Sequence, residues 1–99
     1  MAKHKIIWST RSKVKLYAIL EFYIERNKSK SYAIKLYRLI SREVKLLQKY
    51  PELGLKTSDD SVRGLIIENY ILYYEITEES IVIHTIWDNR QDPASKIFK

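Results

Sequence analysis

Ninety-nine residues with a 45% hydrophobic content suffice for one packed domain and are too few for two. The lack of cysteine excludes disulfides and thiolate metal sites. The formal charge of +6 is unevenly placed: residues 1–50 carry thirteen Lys/Arg against three acids, and residues 51–99 five against nine. Such a field on the N-terminal half draws in a polyanion, nucleic acid or an acidic protein; the plainer alternative is a solvated helix surface.

The chain opens on a strand candidate, Lys5 to Ser9, with β-favouring Ile6, Ile7 and Trp8. No signal peptide is visible in the first residues and no apolar run is long enough to span a bilayer, so the expected location is the cytoplasm. Ser9 or Thr10 can cap a helix running to about Asn27, with Leu16, Ile19, Leu20 and Tyr23 on one buried face. After the polar break Asn27–Ser31, a second helix sets Ala33, Leu36, Tyr37, Ile40, Val44 and Leu47 on a single stripe. Pro51 stops it, and Gly54 lets the chain turn.

From Val62 the period changes. Val62–Ile67, Tyr70–Ile76 and Ile81–Trp87 read as strands. Glu68-Asn69 is a two-residue hairpin link in which Asn69 suits a positive φ, and Thr77–Ser80 is a second turn. The order is β-α-α-β-β-β. The fold class is α+β, a helical hairpin packed on one face of a small antiparallel sheet.

In Tyr70–Ile76 the alternating sets are Tyr70, Leu72, Tyr74, Ile76 and Ile71, Tyr73, Glu75. In Ile81–Trp87 they are Ile81, Ile83, Thr85, Trp87 and Val82, His84, Ile86. Both faces are largely apolar, yet two helices joined by a short loop cover only one. The second face is expected to stay uncovered and to receive a partner segment, unless the C-terminal tail folds over it.

Four segments then fall in order over nearly the whole chain. They are Ile6-Ile7-Trp8-Ser9 at the start and Leu47-Gln48-Lys49-Tyr50-Pro51-Glu52-Leu53-Gly54 at the end of the second helix. Val62-Arg63 with Asn69-Tyr70-Ile71-Leu72-Tyr73 forms the hairpin, and Trp87-Asp88-Asn89-Arg90-Gln91-Asp92-Pro93 closes the series. Together they resemble the RelE/ParE family of type II toxin–antitoxin toxins. The resemblance implies a RelE/ParE-like fold and a toxin that arrests growth when free of its antitoxin. It also implies a hetero-oligomer, with an acidic or amphipathic antitoxin tail over the uncovered sheet face. One branch of the family cleaves messenger RNA in the ribosomal A site, and the other inhibits DNA gyrase.

Metal-independent RNA cleavage needs a base, an acid and cations to steady the phosphorane. Arg63 and Arg90 match the family's basic positions and suit phosphate binding. Their structural alternatives are an edge-strand ion pair for Arg63 and tail anchoring through Asp88 or Asp92 for Arg90. Lys56 is a further candidate for phosphate contact, or a solvated loop lysine. Relatives that cut RNA carry Tyr or His in the tail, where Phe98 here has no proton to give, and many carry Arg at the position of Ile71. His84 remains as an acid/base candidate, although its neighbours Val82 and Ile86 suit a structural histidine. No metal site or cofactor is expected, because no ligand spacing and no glycine-rich loop is present. Because the tail lacks an acid/base, gyrase inhibition is the preferred reading. A ribosome-dependent endonuclease and a non-toxic binding module are the alternatives.

Overall fold

Ser9 sets where the first helix begins. Its backbone is extended, and its hydroxyl accepts from Ser12 N (3.0 Å) while donating to the carbonyl of His84 (3.0 Å). One side chain thus caps the helix and pins it to a strand 75 residues away. The structure, a computed structural model, describes residues 4–88. Helix α1 spans Thr10–Asn27 and ends at Lys28, whose φ of 53° is left-handed. Helix α2 spans Ser31–Leu46 and buries Ala33, Leu36, Ile40 and Val44. It stops short of Pro51. Leu47, Gln48 and Lys49 bond to carbonyls three residues back, so the chain has already tightened before the proline, which also drives Tyr50 out of the helical region.

The strands are β1 (Lys5–Trp8), β2 (Leu55–Lys56), β3 (Val62–Ile67), β4 (Tyr70–Ile76) and β5 (Ser80–Asp88). Their order in the sheet is β1-β5-β4-β3-β2. All pairings are antiparallel except β1 with β5, so the sheet is mixed. The two-residue β2 has no counterpart among the predicted strands. The core lies between the helices and one sheet face. Leu16, Leu36, Ile40, Val44 and Leu47 pack with Leu65, Ile67, Leu72, Tyr74, Ile81, Ile83 and Ile86.

The predicted alternation holds in β4 and fails in β5. The register jumps between Tyr73 and Tyr74, whose partners are Thr85 and Ile83, leaving His84 as the extra residue of a bulge. Beyond the bulge the parity reverses. Ile86 enters the core, while Thr85 and Trp87 join Tyr73 on the far face. In the hairpin turn it is Glu68, not Asn69, that takes the left-handed φ of 54°. Gly54 has an ordinary φ of −72°. It serves close approach rather than a turn, since an added Cβ would lie 2.8 Å from Tyr74 Cε1 and Oη.

The face away from the helices is not bare as expected. At its centre Tyr73 is 2% exposed and Thr85 is fully buried, while Ile66 near one edge is 51% exposed. Tyr73 lies across Gly64, where a Cβ would meet its ring at 3.4 Å, and stands edge-on to Trp87 with centroids 5.5 Å apart. Large rings laid along the strands shelter this face, and a glycine makes room for one of them. Among the described residues no helix is long and apolar enough to cross a membrane.

Candidate functional site

Arg63 stands on β3 opposite Tyr74, on the same sheet face as the helices. Its Nη1 donates to the carbonyl of Gly54 at 2.8 Å and that of Glu52 at 3.4 Å, and Nη2 lies 3.9 Å from the Glu52 carboxylate. Beside it the Tyr74 hydroxyl donates to Pro51 O (2.6 Å) and accepts from Gly54 N (2.9 Å). Burial raises the Tyr74 phenol above its ordinary value near 10, against the smaller lowering effects of the Gly54 amide and Arg63. Arg63 and Tyr74 therefore hold the turn Pro51–Gly54 against the sheet. Lys56 faces Arg63 in the β2–β3 ladder and is exposed.

His84 is turned to the opposite face by the bulge. Its Nε2 sits 3.0 Å from Glu75 Oε1, with both side chains about one-third exposed (32% and 37%). This is an imidazole–carboxylate pair of the kind that can orient a ring for proton transfer. Nearby, Asp59 accepts from the Ser61 amide and hydroxyl, and those bonds hold its carboxyl below the usual value. Arg63 and His84 are thus on opposite faces of the sheet, and the structure does not bring them together. Arg90 lies outside the described residues. No group of three or more His, Asp or Glu among the described residues could hold a metal ion.

A different site was missed at the level of sequence. A cleft of about 680 Å³ runs between α1 and the ends of β4 and β5. Arg11, Lys15 and Arg26 line it from the helix, with Ile19, Phe22 and Tyr23, and Tyr70 and Trp87 close it from the strands. The guanidinium of Arg26 lies 5.8 Å from the centre of the Phe22 ring, and the Tyr70 hydroxyl donates to that of Tyr23 at 3.1 Å. The signal was present as Arg11, Lys15, Ala18, Phe22 and Arg26, one helical stripe beside the buried one. It reads as surface until the strand ends are placed beside it.

The comparisons bear on both fold and family. The chromosomal ParDE toxin–antitoxin system from P. aeruginosa contains a chain that superposes with a TM-score of 0.74 at 22% identity. The match covers 87% of this chain and 96% of that one, which establishes a shared fold. No curated protein is detectably similar in sequence. The family model for the ParE toxin of the type II toxin–antitoxin system parDE matches residues 6–93. With that match spanning all but the two ends, the chain belongs to the ParE toxin family.

Proposed function

We propose that the protein arrests growth by inhibiting DNA gyrase when it is free of a cognate antitoxin. The observation that carries this reading over RNA cleavage is the position of Arg63. The cation expected to steady a phosphorane is committed to the carbonyls of Gly54 and Glu52, on the helix side of the sheet. The purified chain should inhibit supercoiling by gyrase, and its expression should induce a DNA-damage response. Primer extension on messenger RNA should then reveal no cuts at codon edges. Discrete codon-edge cuts with unimpaired supercoiling would reject the proposal.

The antitoxin's docking site in this reading is the α1 cleft rather than the far sheet face. Arg11, Lys15 and Arg26 outnumber the cleft's one carboxylate, Asp88, around an aromatic floor, which complements an acidic, amphipathic tail. Reversing Arg11 and Arg26 to Glu should weaken neutralisation by the antitoxin while leaving growth arrest intact. A second reading, ribosome-dependent mRNA cleavage, is favoured by the outward-facing His84–Glu75 pair, the one acid/base-capable dyad among the described residues.

A further inference from the structure

Helix α2 turns Lys35, Arg38, Arg42 and Lys45 away from its buried stripe, and all four are exposed. Their spacing of three, four and three residues sets them in one straight row along the crest. At the rise of an α-helix the row is about 15 Å long, with a charge every ~5 Å. The only acid on α2 is Glu43, which lies off the row and is half-buried. None of the four cations forms an ion pair within the described residues, where the bridges are Arg63–Glu52 and His84–Glu75. Like charges three and four residues apart repel, and a surface helix ordinarily relieves this with interleaved acids. Here no acid is interleaved in the row; Glu68 of the β3–β4 turn lines a groove beside Lys35, Arg38 and Arg42 but forms no ion pair with them, so the cations remain open to an outside anion.

We propose that this crest binds the phosphate backbone of duplex DNA. The proposal goes beyond the toxin reading and does not depend on whether gyrase is the target. Protein interfaces are built around apolar anchors and are depleted in lysine at their centre, whereas the middle of this row is cationic. Duplex DNA carries one charge per ~1.7 Å of axis, so a 15 Å row meets several phosphates. Lying across the rim of the wide groove of B-form DNA, such a row meets phosphates, whereas A-form RNA encloses its major groove as a deep, narrow cleft.

Fluorescence anisotropy of the purified full chain with a short random-sequence duplex, over a range of KCl concentrations, tests this. The log of affinity should fall against log salt with a slope of about −3, as expected for three to four phosphate contacts. The combined Lys35→Gln, Arg38→Gln, Arg42→Gln variant should bind about tenfold or more weakly, with a slope near about −1. Glutamine is a good helix former on an outward face, and circular dichroism checks that the fold persists. A control with equal charge loss elsewhere, Lys5→Gln, Lys13→Gln, Lys30→Gln, should lose much less. Equal loss in both sets would reduce the effect to net charge and overturn the proposal. Tighter binding of duplex RNA, or displacement of DNA by poly-glutamate at matched charge, would also overturn it. The first result would assign the row to RNA and the second to an acidic protein.

Discussion

Arg63 Nη1 lies 2.8 Å from the carbonyl oxygen of Gly54, and this contact fixes the loop that leads from the helices into the sheet. The Arg63 side chain is only 20% exposed, so truncation leaves loop carbonyls poorly satisfied. Arg63→Ala should cost about 1–3 kcal/mol in urea denaturation, the range for a hydrogen bond to a charged group. Amide exchange at Gly54 and Leu55 should accelerate together. Arg63→Lys keeps the charge but loses the planar fork, and should recover only part of the stability. Growth arrest lost in either variant at unchanged stability would instead place Arg63 at the target.

Tyr74 and Gly54 are coupled more tightly. A methyl at Gly54 would meet Tyr74 Cε1 and Oη at 2.8 Å and the Gly64 carbonyl at 3.1 Å. Gly54→Ala should therefore destabilise by about 1–3 kcal/mol through overpacking. Tyr74→Phe removes the hydroxyl that serves Pro51 O and Gly54 N, at a similar cost of about 1–3 kcal/mol. Because losing Oη also relieves one of the two side-chain clashes, the double variant should fall short of the sum of the singles. Strict additivity in a double-mutant cycle would contradict this arrangement.

The helices were legible because their core contacts recur at the helical period: Ala33, Leu36, Ile40 and Val44 needed no tertiary knowledge. The strand β4 was legible for the same reason at period two. In β5 a single inserted residue, His84, reverses every assignment after it, and nothing local in Ile83-His84-Thr85 announces the insertion. The parallel partnership of β1 with β5 joins residues 75 apart and is invisible to any short window. At the candidate site, Arg63 stood out in the sequence as a phosphate-binding candidate, but its partners depend on a 3₁₀ turn that folds Glu52 and Gly54 back over it. The cations of the α1 cleft were visible as a stripe. Only the strand ends make that stripe one wall of a cleft.

Alkaline pH should unfold the protein through its buried phenols. Burial raises both Tyr73 and Tyr74 above the ordinary value near 10. A raised acid keeps its proton longer in the folded state, so folding retains protons that the unfolded chain releases. Their stabilisation is complete below about pH 10 and is lost as pH rises through the folded-state values. Urea midpoints should accordingly be level up to about pH 9 and fall beyond about pH 10. Tyrosinate absorbance should show Tyr73 and Tyr74 titrating late, and Tyr73→Phe should remove one of these late steps.

Lys28 closes α1 with a φ of 53°, a conformation that a side chain with a Cβ adopts at a cost. Its side chain is exposed. Lys28→Gly should raise stability by about 0.5–1 kcal/mol, since glycine is the favoured residue at this position. Thermal or urea unfolding measures it directly, and a loss of stability would mean that the lysine side chain contributes more than its strain costs.

His84 and Glu75 offer the sharpest separation of the two toxin mechanisms. Their pair is about one-third exposed, so breaking it should change stability by no more than about 1 kcal/mol. His84→Gln and Glu75→Gln should consequently fold. If the protein acts on gyrase, both variants should still arrest growth and inhibit supercoiling. If the pair serves as an acid/base in RNA cleavage, His84→Gln should lose arrest by at least about a hundredfold in rate, as removal of a general acid or base does. Glu75→Gln, which only orients the ring, should lose less. Arrest abolished in His84→Gln with supercoiling inhibition unchanged in vitro would move the proposed mechanism from gyrase to messenger RNA.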